Sequence, residues 1–144
     1  MDVQQLLKAL DNEDNSSLLD LTNEKIQNIK FDILKELGFS REKLLDTMEK
    51  LEEYRYIDGM NELKYGSYIR WISIVDPNPK KLVLTKGAIF CDLKVTDEGV
   101  FVVYKNFYNN YYQIKMDECL LFQKMSEQEQ VLLSALDHIS SSTM

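Results

Sequence analysis

Residues 66–72 read GSYIRWI and mark the point at which the chain changes from helical to strand-like patterning. They contain the only tryptophan, Trp71, directly after Arg70. Side chains alternate between the two faces of a strand, so Tyr68, Arg70 and Ile72 share one face while Trp71 lies on the other. A single tryptophan among isoleucines is usually buried. We therefore expect Trp71 in a core, with Arg70 directed toward solvent or toward a carboxylate.

Downstream of this stretch, short runs of β-branched and aromatic residues alternate with turn residues. The predicted strands cover residues 68–75, 82–85, 88–95, 100–104, 111–116 and 120–122. The turn at 76–79 contains both prolines of the chain, which cannot join a strand ladder. Asn109-Asn110 tolerates the positive φ of a tight turn. Short strands with turns roughly every 8–12 residues predict a small SH3-like or OB-like β-barrel.

The chain before this unit is patterned as helices. One helix is expected to begin after Thr22, where apolar residues recur every three or four positions, and to end at Gly38. Ser40 can cap a following helix, which is predicted to continue to Asp58-Gly59. Because the connection between the two is short, we expect an αα-hairpin.

Helices are also predicted at both ends of the chain. Residues 2–10 form a short helix that stops at a polar loop over 11–17. At the other end, Ser126 and Glu129 have the S-x-x-E spacing of a capping box and introduce a terminal helix. Residues 140–144 are expected to fray.

These patterns predict an α+β fold: an N-terminal helical hairpin, a small SH3-like or OB-like β-barrel and a C-terminal helix. The expected organisation is an acidic helical segment at 1–60, the barrel with its closing helix at 61–139, and a flexible tail at 140–144.

The net charge of −7 is unevenly distributed along the chain. Residues 1–60 carry 8 Lys and Arg against 14 Asp and Glu, whereas residues 61–144 carry 9 against 10. Nucleic-acid binding by counterion release needs clustered cations, so the acidic helical half disfavours it. The nearly neutral second half remains open as a binding surface.

No motif in the sequence indicates catalysis, a metal site or a cofactor. The two cysteines, Cys91 and Cys119, form no CxxC, and His138 is the only histidine. No nucleophile motif or phosphate-binding loop occurs. No apolar run has the length of a membrane span, and no signal peptide is visible. We expect a non-enzymatic, cytoplasmic protein without cofactor, metal or membrane contact.

The tract at 104–112, YKNFYNNYY, contains five aromatic residues in nine and straddles a predicted hairpin turn. Adjacent residues of a strand point to opposite faces, so some of these rings belong to the core and others to solvent. The residues predicted to bind a partner are Arg70, Lys86, Tyr104, Lys105, Phe107, Tyr108, Tyr111 and Tyr112. Aromatic rings with arginine are typical of protein-interaction hot spots. Rings beside cations also stack single-stranded nucleic acid, which is the alternative function.

Four segments carry a resemblance to a known group of proteins: ELKYGSYIRWI, LTKGAIFCDL, KNF and QIKMDECLLFQKMSEQE. Over residues 62–137 the chain resembles small uncharacterised proteins of large DNA viruses that infect algae and protists. The resemblance implies a virion or virus-factory context and brings no catalytic residues. The expected function is therefore a protein-interaction module, as a minor structural or adaptor component of such a virus. Self-association through the apolar face of residues 23–57 is also expected.

Overall fold

The structure, a computed structural model, describes residues 3, 4, 7, 8 and 22–142, with side chains as far as residue 139. The helices are α1 (Asn23–Lys35), α2 (Arg41–Lys50) and α3 (Glu127–Ser142). The strands are β1 (Tyr54–Ile57), β2 (Tyr68–Ser73), β3 (Ala88–Thr96), β4 (Gly99–Lys105), β5 (Tyr111–Lys115) and β6 (Cys119–Lys124). The helix predicted at 2–10 and the loop at 11–17 lie outside the described residues, except that residues 3, 4, 7 and 8 are helical.

Side-chain caps place the helix starts where the sequence predicted them. Thr22 accepts a hydrogen bond from the Lys25 N–H, and Ser40 accepts one from the Lys43 N–H. At α3, the Glu129 N–H donates to Ser126 Oγ while Glu129 Oε1 accepts from the Ser126 N–H, both at 3.2 Å. This is the reciprocal arrangement of a capping box.

The prediction that α2 continues to Asp58-Gly59 is wrong. The helix ends at Lys50, and Tyr54–Ile57 forms β1, which pairs antiparallel with β6. The fully buried ammonium of Lys30 lies at this point and donates to the Leu51 carbonyl at 2.7 Å. The same carbonyl accepts from the Tyr54 N–H at 2.9 Å, so Lys30 is a second donor at the end of α2.

All six strands form one antiparallel sheet in the order β1-β6-β2-β3-β4-β5. The predicted SH3-like or OB-like closure is not confirmed, because β1 and β5 are the two edges and do not pair with each other. The strand predicted at 82–85 is reduced to an isolated bridge between Ile72 and Leu84. The Thr85 N–H still donates to the Trp71 carbonyl at 3.0 Å, so the segment runs beside β2 without forming a ladder.

The two sides of this sheet pack differently. On one, here the core side, buried residues from β1, β2, β3, β4 and β6 form a single cluster that includes Trp71 and Phe90. Burial of Trp71 is thereby confirmed. On the other, the helix side, Ile72 and Phe122 pack against Leu34 of α1.

The helices cover only part of the helix side. α1 also reaches α3, where Ile26 packs against Leu132 and Leu133. The two N-terminal helices are consecutive, but the predicted hairpin is not confirmed, because their apolar residues pack largely on the sheet and on α3. The helix-side residues of β3, β4 and β5 are partly buried or exposed, and none of them belongs to the cluster that the helices form with the sheet.

Candidate interaction surface

The aromatic residues predicted to bind a partner are divided between the two sides of the sheet. Residues directly opposite each other in an antiparallel pair share a side. Tyr104 pairs with Tyr112 and with Phe90, which places Tyr104 and Tyr112 on the core side. Lys105 pairs with Tyr111, one residue further along each strand, so both lie on the helix side. The eight predicted residues therefore do not form one continuous patch.

On the helix side, the register places several of the remaining residues in one row. Tyr68 pairs with Ile89, Ile89 with Lys105, and Lys105 with Tyr111. The Phe107 ring lies 6.4 Å from the Tyr68 ring, measured between centroids. At the other end, Lys124 Nζ lies 5.8 Å from the centroid of the Tyr68 ring. We call Tyr68, Lys105, Phe107, Tyr111 and Lys124 the lysine–aromatic surface.

The rings of this surface are accessible. Tyr68 is 46% exposed, Tyr111 65% and Phe107 67%. Isolated exposed apolar residues are ordinary, whereas the rings of Tyr68 and Phe107 are exposed side by side.

The hairpin turn that carries Phe107 and Tyr108 is held by its own hydrogen bonds. Asn106 Oδ1 accepts the N–H of Tyr108 at 2.9 Å and that of Asn110 at 3.0 Å. Asn109 adopts a φ of 63°, the left-handed conformation that asparagine tolerates. This turn presents Tyr108 to solvent at 85% exposure, with little conformational freedom left in the backbone.

The core-side rings take a structural role. Trp71 and Tyr104 approach to 4.5 Å between ring centroids, and Tyr104 stacks on Tyr112 at 5.7 Å. Burial, assisted by the neighbouring Tyr112 hydroxyl, raises the pKa of Tyr104 above its usual value. Tyr104 belongs to the edge of the core, while Tyr112 keeps half of its surface in solvent.

Arg70 lies on the helix side but is oriented by backbone carbonyls. Its Nε donates to the Thr85 carbonyl at 2.9 Å and its Nη1 to the Lys50 carbonyl at 3.4 Å. Arg70 is partly exposed on the face opposite Trp71, as expected, but its hydrogen-bond partners are two carbonyls and not a carboxylate. Lys86 is exposed and lies between Thr85, whose carbonyl accepts from Arg70, and Gly87.

Two members of the lysine–aromatic surface were missed as site residues. Tyr68 lies on β2 and Lys124 on β6, and both are distant in sequence from the tract at 104–112. The alternation of GSYIRWI places Tyr68 on the face opposite Trp71, but Ile72 shares that face and is buried, so alternation alone did not mark Tyr68 as exposed.

Charged groups of both signs surround this surface. On the helix side, Lys94 and Lys115 flank Phe101 across the register. Lys124 has Glu53 at 3.6 Å. A second carboxylate, that of Asp92 on β3, accepts a hydrogen bond from the Leu93 N–H at 2.8 Å.

A second polar cluster lies at the opposite edge of the sheet and is internally paired. Arg55, 3% exposed, contacts Glu62 at 2.9 Å and Glu129, 1% exposed, at 3.3 Å. Lys64 contacts the same Glu129 at 3.2 Å. Burial opposes ionisation of Glu62, but hydrogen bonds from the Gly59 and Asp58 N–H groups and from Arg55 outweigh it and lower the pKa of this carboxyl.

A cavity of about 510 Å³ opens beside this cluster, between α1 and β1. Its walls are the isoleucines of α1, and its polar lining includes Arg55 and Glu62. Arg55 and Glu62 are paired with each other there, and Asp58 adds an exposed carboxylate to the lining. The cluster joins α3 to β1 and is structural.

In the described part of the chain, no group of three or more His, Cys, Asp or Glu side chains is arranged to hold a metal ion. The helices described there are too short or too polar to cross a bilayer. Searches against protein-family models, curated proteins and solved structures give no match to this chain.

Proposed function

We propose that the protein is a non-enzymatic interaction module that binds another protein through the lysine–aromatic surface. The observation that carries this proposal is the cluster of Tyr68, Phe107 and Tyr111 on the part of the sheet that the helices leave uncovered. Tyrosine and phenylalanine bury large areas at a small cost in side-chain entropy, which makes them frequent anchors of protein interfaces.

The surroundings of these rings support a stable binding site. The Asn106 hydrogen bonds order the turn before any partner arrives, so binding need not bear the cost of ordering it. Lys105 and Lys124 lie at the margin of the rings, where charges orient a partner more than they add affinity. A partner with an apolar contact area and an acidic rim fits this arrangement.

Affinity capture with a double variant tests the proposal. Replacing Phe107 and Tyr111 with alanine removes two exposed rings without touching the core clusters, so the fold should persist. Loss of two hot-spot rings should weaken partner binding by about 100-fold or more. Tyr65→Ala is the matched control, since Tyr65 is 71% exposed but stacks on the core-side Phe90. Equal capture by the folded double variant and the control would reject this surface.

A second candidate function is binding of single-stranded nucleic acid by the same rings. The observation that favours it is the placement of Lys105 and Lys124 beside Tyr68 and Tyr111. Stacking of one base on an exposed ring is worth about 1–3 kcal/mol, and lysines nearby would contact phosphates.

Fluorescence anisotropy of labelled single-stranded DNA and RNA at two salt concentrations separates the two candidates. Nucleic-acid binding predicts an affinity that falls steeply as salt rises. The acidic helices oppose it, and we expect no salt-sensitive binding. Micromolar, salt-sensitive binding that is lost in Lys105→Gln would reverse this preference.

The resemblance to proteins of large DNA viruses gives the proposal a setting. The partner would then be another component of the virion or of the virus factory, with this chain as a minor structural protein or adaptor.

A further inference from the structure

The edge strand β5 has a defined pattern of backbone hydrogen bonds. The Asn106 N–H donates to the Asn110 carbonyl at 3.0 Å, which makes these two residues a hydrogen-bonded pair. Hydrogen-bonded and non-hydrogen-bonded pairs alternate along an antiparallel ladder. Counting from Asn110 in the observed register, Tyr112 and Ile114 direct their backbone groups toward β4.

The alternate residues of β5 direct their backbone N–H and C=O groups away from β4. Tyr111, Gln113 and Lys115 therefore present N–H and C=O groups on the side of β5 that has no neighbouring strand in the described part of the chain. The Lys115 carbonyl also accepts a hydrogen bond from the Cys119 thiol at 3.6 Å, and its second lone pair remains available. An open edge of this kind is a template for one more strand.

The sequence of β5 is complementary to itself in one antiparallel register. With a two-fold axis at Gln113, each outward residue meets another outward residue, so the hydrogen-bonding groups of both edges find partners. On the helix side, Tyr111 lies opposite Lys115 of the second copy, whose side chain extends over Gly99 within its own copy. On the core side, Tyr112 lies opposite Ile114 of the second copy. No like charges meet directly across this register.

We propose that β5 pairs with β5 of a second copy of this chain about an axis at Gln113, which joins two sheets into one. This self-association goes beyond the proposed partner binding and does not depend on it. Pairing takes place in the plane of the sheet, so Tyr68 and Phe107 stay accessible on the helix side. The dimer would present two lysine–aromatic surfaces on one continuous sheet and would bind a repetitive partner with increased avidity. The self-association predicted through residues 23–57 uses a different face.

Sedimentation with two variants at one position tests this pairing. Gln113→Pro removes an N–H that points away from β4, so the sheet within one copy keeps its bonds. We expect the wild-type chain to dimerise with rising concentration, and the proline variant to raise the dissociation constant by about 10- to 100-fold. Gln113→Ala, which keeps the N–H, should stay close to wild type. The proposal is overturned if the wild-type chain stays monomeric or if Gln113→Pro leaves the dissociation constant of the dimer unchanged. The edge of β5 would then be available to an extended segment of another protein.

Disulfide trapping tests the register even if the proline variant folds poorly. Opposed residues of a hydrogen-bonded pair have Cα atoms about 5.5 Å apart, a distance that a disulfide can span. In a background without Cys91 and Cys119, Gln113→Cys should form a linked dimer under mild oxidation. Gln130→Cys, exposed on α3, is the control and should not. Absence of the linked dimer, or equal linking of the two variants, contradicts the axis at Gln113.

Discussion

Lys30 shows how a single buried residue connects the helices to the sheet. Its side chain starts on α1 and reaches the segment just after α2, where it donates to the Leu51 carbonyl at 2.7 Å and the Glu52 carbonyl at 3.4 Å. Burial is the main influence and lowers the pKa of Lys30 from 10.5 to about 8, although the charge of Glu52 acts in the opposite direction. The ammonium is therefore retained for its geometry at a cost in desolvation.

This cost predicts a pH dependence of folding. Between about pH 8 and 10.5 the unfolded chain binds the proton of Lys30 more tightly than the folded chain, so the folding stability rises with pH in this window. It falls again as the pH is lowered from 10.5 to about 8 and is constant below that, where both states are protonated. Relative to Lys30→Met, the wild type should gain about 1–3 kcal/mol across this window. Urea unfolding at pH 7 and pH 10 measures the difference. Lys25→Met, on the exposed side of the same helix, is the control, and a gap to Lys30→Met that does not change with pH would contradict the assignment.

Cys119 illustrates a residue whose chemistry is suppressed by its position. Burial, followed by the nearby charges of Asp117 and Glu118, raises the pKa of its thiol from 9.0 to about 11. Since the thiolate is the reactive form, the shift lowers its population about 100-fold at pH 8. In a Cys91→Ser chain, iodoacetamide should alkylate Cys119 at least that much more slowly in native buffer than in denaturant. Similar rates in the two solvents would show that the thiol is accessible.

At the scale of elements, the attachment of α3 depends on Glu129. This carboxylate caps its own helix and contacts both Arg55 and Lys64. Leaving a buried charge wholly unpaired costs about 3–5 kcal/mol, but Arg55 keeps Glu62 at 2.9 Å when Glu129 is removed. Glu129→Ala should therefore destabilise the protein by about 1–3 kcal/mol in chemical denaturation. Glu127→Ala, an exposed acid in the same first turn, should change stability by about 0.5 kcal/mol or less. Equal effects would show that only the helix dipole is involved.

The elements also show which parts of this fold can be predicted from sequence. The caps at Thr22, Ser40 and Ser126 are local hydrogen-bonding patterns, and each appears at the predicted residue. β1 was missed because Leu51 and Tyr54 continue the three-residue spacing of α2. Its pairing with β6, near the other end of the chain, has no signature in the local sequence.

The surface was predictable to a similar degree. Alternation within YKNFYNNYY implies that its rings face both ways, and the register assigns Tyr104 and Tyr112 to one side and Tyr111 to the other. What the sequence could not show is that β2 and β6 bring Tyr68 and Lys124 to the same place. That juxtaposition depends on strand order, which arises from long-range packing.

At the scale of the whole molecule, the helices leave part of the sheet uncovered. α1 and α2 pack over β2 and β6, whereas the helix side of β3, β4 and β5 lies outside their contact. Exposed rings lie on and beside that uncovered part: Tyr111 on β5, Phe107 in the β4–β5 turn and Tyr68 at the start of β2. Lys105 and Lys124 adjoin them. Covering these rings would remove apolar surface from water at roughly 25 cal/mol per Å², which is the driving force that we assign to partner binding.

Site-specific photo-cross-linking tests this account most directly. A photoreactive phenylalanine placed at position 107, and separately at position 65, would be activated in extracts of the cell that normally contains the protein. The account predicts a discrete protein adduct from position 107, lost when Tyr111→Ala is added, and none from position 65. Adducts of equal yield from both positions, or an adduct at 107 that contains nucleic acid instead of protein, would contradict it.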